Sequence, residues 1–325
     1  MSERRRVIID VDAGSDDAIA MLMLIAAHKR GDIELMGITC VAGNSNVDNV
    51  TINVLRVLGA AKALDIPVYK GASEGIIPLD IPYSTESEFH GNDGFGDLQH
   101  FGNDPDLSLI KPEHAVNYLI SAATKYPNEI TFIFVGPLTN AALAIKLDYT
   151  FLDKTKDVYI MGGNYKGIGN KTRAAEFNFV SDPEAAFLVL SNARKPVYIV
   201  PWETCTGICL PLKWRFDVMG QINSPQMNLM NPVEKSIYSK CQFDQYFVCD
   251  AICVASFLCS KLIKNTYKIH ATVELQGLYT RGQMVIDHRN ILEENLPNVC
   301  FVTEVDVELF KKMLLFAAGH ENSGY

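Results

Sequence analysis

Directly after the apolar residues Val7, Ile8 and Ile9, the stretch VIIDVDAGSDD sets four carboxylates, Asp10, Asp12, Asp16 and Asp17, within eight positions. Few folds admit such a cluster. The apolar run reads as the end of a buried parallel strand and Ala18 to Ala27 as a helix, so the acids occupy a strand-to-helix turn, the place where open α/β sheets keep their sites. Ser15 is the expected N-cap, and Gly14 is expected to let the turn be tight. Acids in a first helical turn complement the helix dipole, which explains Asp16 or Asp17 taken alone. It does not explain Asp10 and Asp12, like charges at the end of a buried strand that are costly unless protonated, hydrogen-bonded or bound to a cation. Carboxylate oxygens without a nearby His or Cys favour Ca²⁺ or Mg²⁺ over zinc.

The strand, turn, helix pattern recurs along the chain. Glu34 to Ala42 reads as a second strand ending at Gly43 and Asn44, with a helix from about Val47 to Ala63, and Pro67 to Gly71 as a short third strand. From about Ala72 to Pro112 the chain is polar and rich in Gly, Asp and Pro, a length that in a compact domain marks a lid or binding loop. A helix is predicted to Tyr126, then a central buried strand over Ile130 to Val135, and further strands over Asp157 to Met161, Val197 to Val200 and Ala271 to Leu275. Glu176 and Asn178 point the same way if their segment is extended, and Asp182 can cap the helix that follows. Asp250 opens an apolar helix. Tyr238, Tyr246 and Phe247 are candidates to present aromatic faces to a ligand, although core packing is the commoner fate of such residues. The fold class implied is α/β, an open, mostly parallel, Rossmann-like sheet flanked by helices, in a single domain spanning 1–325.

Composition narrows the partners. A formal net charge of −9 and no basic block beyond Arg4 to Arg6, read as a solvated tail, argue against nucleic acid and anionic membrane. The first apolar segment is interrupted by acids and is neither a signal peptide nor a span, so a cytoplasmic location and reduced thiols are expected for the eight cysteines. The pairs Cys205/Cys209 and Cys249/Cys253 lack the CxxC spacing and the His partner of a zinc site.

DVDAGSDD resembles the DxDxxxDD signature of nucleoside hydrolases, calcium-dependent enzymes that cut the N-glycosidic bond of ribonucleosides. Four later stretches resemble the same family: HGNDGFG from His90, VGPLTN at 135–140, AEFN followed by SDPEAA at 175–186, and YTRG at 279–282. A DxDx[TV] phosphatase of the haloacid dehalogenase type is the nearest competitor, but Gly14 stands where that motif needs Thr or Val.

The resemblance implies a calcium shell of Asp12, Asp17, Asp250 and the Val135 carbonyl, completed by a water and two ribose hydroxyls. Asp10 would support that shell from behind. Asp12 would take the proton of the attacking water, and Asp16, Asn44, Asn170, Glu176 and Asn178 would grip the sugar, with His90 beside them. The family's His-Asp pair reads Cys249-Asp250 here, so the His thought to protonate the departing base is absent. Cys249 is carried as a candidate catalytic residue: its thiol is protonated at neutral pH but donates weakly, and filling space beside Asp250 is the alternative. The implied partner is a small ribonucleoside, purine or pyrimidine, and the implied assembly a homodimer or homotetramer. A binding protein that lost catalysis is the main alternative of another kind, and a phosphorylase is disfavoured because an acidic site repels phosphate.

Overall fold

The computed structural model describes residues 4–77, 89–98, 104–291 and 296–320. Much of the long polar segment between Ala72 and Pro112 therefore lies outside the described residues. Two alternating units open the chain: β1 (Arg5–Val11), α1 (Ser15–Arg30), β2 (Ile33–Cys40), α2 (Val47–Ala60) and β3 (Val68–Lys70), followed by the short β4 (Ile110–Lys111). The alternation resumes with α3 (Ala115–Lys125), β5 (Ile130–Phe134), α4 (Thr139–Leu147), β6 (Asp157–Met161), α5 (Phe177–Ser181), α6 (Pro183–Asn192) and β7 (Val197–Val200). Helices α7 (Trp202–Gly207), α8 (Leu212–Asp217), α9 (Pro225–Tyr238) and α10 (Cys249–Leu258) come next. The chain closes with β8 (Ile263–Ile269), β9 (Ala271–Val273), β10 (Met284–Ile286), β11 (Val299–Val305) and α11 (Val307–Ala317).

Nine strands form one sheet in the order β4-β3-β2-β1-β5-β6-β7-β11-β8. All neighbours are parallel except β11 with β8. Burial on both faces explains why β5 is a continuous run of β-branched and aromatic residues, all of them buried. Helix α1 is apolar almost all round because it is covered by the sheet on one side and packs against α10 and α11.

Several local expectations change in the folded chain. Arg5 and Arg6 are not a solvated tail: they begin β1, and the Arg5 guanidinium donates to the carbonyls of Phe257 and Leu258 at 2.9 and 3.1 Å, closing the end of α10. Residues 177–181 are helical rather than extended, since the Glu176 carboxylate caps them. Beyond residue 289, β11 and α11 complete the sheet and the α1 face, elements for which the sequence stretches NVCFVTEV and VELFKKMLLFA carried an unread apolar signal.

Behind α9 lies a buried ion pair. Arg215 and Glu234 are fully buried and joined by two contacts, with Asn231 Oδ1 accepting from Arg215 at 2.9 Å and the Tyr246 hydroxyl donating to Glu234 at 2.8 Å. Arg215→Met leaves the Glu234 carboxylate without its counter-ion and is expected to cost about 3–5 kcal/mol in urea unfolding. A loss below about 1 kcal/mol would show that water or a neighbour replaces the guanidinium.

Candidate active site

The strand order reverses at β1, which lies between β2 and β5, and the site forms beyond the C-terminal ends of these strands. As the chain leaves β1, Ala13 takes a left-handed conformation (φ 45°), while Gly14 does not (φ −72°). Gly14 is thus needed for clearance rather than for turning. A Cβ there would lie 2.7 Å from Asn44 Nδ2 and 3.0 Å from the His90 ring. Gly14 rather than Ser15 is the N-cap of α1, and Ser15 is the first helical residue; the Asp17 carboxylate accepts the Gly14 N–H at 2.8 Å, as the N3 acid of a capping box does.

Asp10 is buried and accepts from Thr39 Oγ1 at 2.5 Å and from Asn140 Nδ2 at 2.8 Å. Asn140 also holds the Cys40 carbonyl and the Ala72 N–H, so Asp10 ties β1 to β2, to α4 and to the end of the β3 segment. Burial pushes its carboxyl up to about 7 against the pull of those two donors.

Asp12 is fully buried, with Oδ2 accepting the Asn44 N–H at 2.8 Å and Oδ1 left without a partner. Two turn glycines make room for it. A Cβ on Gly43 would stand 2.1 Å from Asp12 Oδ2, and one on Gly136 3.0 Å from the Asp12 Cβ. Gly43→Ala is accordingly expected to displace the carboxylate and lower kcat by about 10- to 100-fold, since a misplacement of about 1 Å costs that much, and to cost about 1–3 kcal/mol of stability through the clash with Pro137. Unchanged kcat in that variant would mean that the Asp12 position is not critical.

Carboxylate oxygens of Asp16, Asp17 and Asp250 lie within 4.8 Å of one another. The charges oppose each other. Asp17 is pushed up to about 7 by burial and by Asp16, and Asp250 is raised by burial and by Asp16, Asp17 and Asp12. Burial and Asp17 raise Asp12 as well. The group has only oxygen donors, crowded like charges and, in Asp12 Oδ1, an orphaned buried acceptor, and these fit a hard cation. Val135, just past β5, lines the same cavity, and its carbonyl accepts from Asn178 Nδ2 at 2.8 Å, leaving a second lone pair.

Those residues floor a cavity of about 770 Å³. Asp16, Asn44, His90, Asn170, Glu176, Asn178, Cys249 and Asp250 all line it, whereas Asp10, Asp12 and Asp17 lie beneath. His90 Nδ1 accepts the Ser15 N–H at 3.1 Å, which leaves the ring proton on Nε2, 3.5 Å from Asp16 Oδ1. Burial lowers the His90 pKa against the attraction of Asp16, favouring a neutral ring that caps α1 and steadies Asp16. Glu176 accepts the N–H groups of Gly163, Asn178 and Phe179 at 2.8, 3.0 and 3.2 Å, and burial pushes it up to about 7. Asn170 accepts the Phe177 N–H at 2.8 Å.

A chain of rings lines the same cavity. Trp202 stacks on Phe247 (centroids 5.8 Å apart), Phe247 meets Phe243 edge-on (5.3 Å), and Phe243 faces Phe89 (6.2 Å). Of the three aromatic candidates in the sequence, only Phe247 reaches the cavity; the Tyr238 hydroxyl accepts the Phe247 N–H and donates to its carbonyl at 2.9 and 3.0 Å, and Tyr246 belongs to the buried ion-pair network. Glu203, silent in the sequence, accepts the N–H groups of Tyr165 and Lys166 and so shapes the glycine-rich loop after β6. The Cys249 thiol lies beside that of Cys205, whose helix α7 packs against α10, and the neighbouring thiol and burial push the Cys249 thiol well up.

Residues 7–312 match the family described as inosine-uridine preferring nucleoside hydrolase. The pyrimidine-specific ribonucleoside hydrolase RihB of Escherichia coli is 33% identical over 298 residues, which cover 89% of this chain and 90% of that protein. The inosine-uridine preferring nucleoside hydrolase of Leishmania major is 30% identical, covering 88% of each. An inosine-guanosine nucleoside hydrolase superposes with a TM-score of 0.87 at 27% identity over 98% of this chain and 99% of that one. The DxDx[TV] phosphatase alternative falls with these matches. A match over nearly the whole chain, on a sheet whose reversal point carries the acidic cluster, places this protein in the nucleoside hydrolase family, as a ribonucleoside N-ribohydrolase.

Proposed function

We propose that this enzyme is calcium-dependent and hydrolyses both purine and pyrimidine ribonucleosides to free base and ribose. The observation that carries the reading is one cavity lined by crowded buried carboxylates, by amide groups and by aromatic rings. Asp12, Asp17, Asp250 and the Val135 carbonyl would hold the cation, with Asp10 fixing the strand end behind them. When bound there, a hard dication supplies Lewis acidity toward water and toward vicinal hydroxyls.

Asp12 takes a proton from water as the oxygen attacks C1′ of a ribose developing oxocarbenium character. Its Oδ1, without a partner in the protein, is the acceptor for that proton. Asp16, Asn44, Asn170, Glu176 and Asn178 hydrogen-bond the ribose, and holding it in one orientation turns binding energy into rate. His90 keeps Asp16 in place. Trp202 and Phe247 offer the base a face that any purine or pyrimidine can use, which supports breadth where the relatives' names differ in base.

Cys249 lines the same cavity as these rings, so we assign it a contact with the departing base. If its S–H assists departure, Cys249→Ala should slow inosine and uridine more than Cys249→Ser does. Equal rates in both variants and wild type would reduce Cys249 to packing. The overall reading is tested by assaying reducing sugar from inosine and uridine with and without phosphate. Release of ribose in both conditions is expected; a protein that binds nucleosides without releasing sugar, or that needs phosphate, would refute it. Family resemblance also leads us to propose a homodimer or homotetramer, measurable by light scattering, and the acid-interrupted first apolar segment a cytoplasmic location. No helix among the described residues is long and apolar enough to cross a membrane.

A further inference from the structure

Between β6 and α5 the chain forms neither helix nor strand, yet this stretch brings Asn170 and Lys171 to the cavity. A segment without a ladder of its own is placed by the side chains that clasp its backbone. Asn164, fully buried, donates from Nδ2 to the carbonyls of Ile168 and Ala174 at 3.0 and 2.7 Å, and so braces the loop on both flanks of Asn170 and Lys171. Glu203 holds the stem. Its carboxylate accepts the Tyr165 N–H at 3.0 Å and the Lys166 N–H at 2.6 Å.

The helical turn that supplies Glu203 also supplies one of the rings. Trp202 lines the cavity, stacks on Phe247 and gives its backbone N–H to the Gly163 carbonyl at 3.0 Å. Backbone groups of Gly163, Tyr165 and Lys166 are thus fixed to two consecutive residues of α7. The helix has its own anchors, for Thr204 Oγ1 donates to the Val302 carbonyl of β11 at 2.6 Å and Cys205 is buried in the core. Removing the Glu203 carboxylate therefore leaves α7 seated and loosens the loop.

We propose that Glu203 is a positioning residue for the ribose: by holding the Tyr165 and Lys166 N–H groups it sets where Asn170 stands relative to Trp202. The proposal rests on the reading above, in which Asn170 binds the ribose and Trp202 meets the base. Asn170 Oδ1 already accepts the Phe177 N–H at 2.8 Å, so Nδ2 is the group it offers to a hydroxyl. Such a bond weakens steeply when its donor is misaligned, and a misplacement of about 1 Å costs up to about 100-fold in rate. Glu203 acts through the loop and not by contact with the substrate.

The test is a double-mutant cycle of Glu203→Ala and Asn170→Ala in the intact enzyme, with kcat and KM measured on inosine and uridine and circular dichroism confirming the fold. Glu203→Ala is expected to lower kcat/KM by about 10- to 100-fold. Glu203→Gln keeps one acceptor oxygen for the two N–H groups and should recover part of that loss. Because Glu203 works through Asn170, the double variant should lie within about 2-fold of Asn170→Ala alone, the scatter of such cycles. Losses that multiply, or an unchanged kcat/KM in Glu203→Ala, would overturn the proposal. If the alanine variant does not fold, the same cycle run with Glu203→Gln decides. Multiplying losses in an enzyme whose wild type releases ribose refute this proposal alone, whereas a wild type that releases no ribose from either nucleoside refutes the proposed function and this proposal with it.

Discussion

Asp12→Asn is expected to lower kcat by about 100- to 10,000-fold while the protein still folds, because the variant keeps the shape of the side chain and removes its basicity. The Asn44 N–H can still find the amide oxygen, and the turn glycines Gly43 and Gly136 still clear the group. Since Asp12 also belongs to the proposed cation site, calcium content has to be measured on the same sample. A variant that loses both calcium and activity would mark Asp12 as a ligand first. A variant that keeps calcium and loses kcat identifies the base. Normal kcat with normal calcium would end the assignment.

On the proposed calcium reading, stripping calcium with a chelator is expected to abolish hydrolysis, and restoring about one calcium per chain to recover it, since the oxygen-only donor set suits a hard cation. Full activity in metal-free protein, or a site filled by zinc, would remove the basis for the calcium reading. A thermal measurement gives an independent check. Burial and Asp16 raise the folded-state pKa of Asp17 from its ordinary 3.8 to about 7, and burial raises Asp10 similarly. Between those limits the folded, metal-free chain binds more protons than the unfolded one, so its stability falls as pH rises through this window. Calcium competes with those protons, and the stabilisation it confers should grow over the same rise in pH. The melting temperature is therefore expected to drop from pH 5 to pH 8 without calcium and to hold or climb with it. Parallel curves with and without the metal would place calcium away from these carboxylates.

Much of this architecture follows from local pattern. The apolar runs of β5, β6 and β7 are each long enough to be strands and too short to be helices, and the structure places them at 130–134, 157–161 and 197–200. The acids after β1 were legible because nothing structural calls for four of them at a strand end, and Asp250 because a lone charge opens an otherwise apolar helix. What only the tertiary structure decided are partnerships between residues far apart in sequence. His90 caps a helix that starts 75 residues earlier, the Cys249 thiol meets Cys205, and Asn140 reaches Asp10 across 130 residues. Spacing along a strand or helix reports which face a side chain takes, but the group it meets is set by strand order and by which helix crosses which strand end. Gly14 shows the difference at a single residue. The sequence by itself determined that a small residue belongs in that turn, whereas only the fold determined that the space it leaves is taken by Asn44 and His90 and that Ala13 carries the left-handed backbone instead.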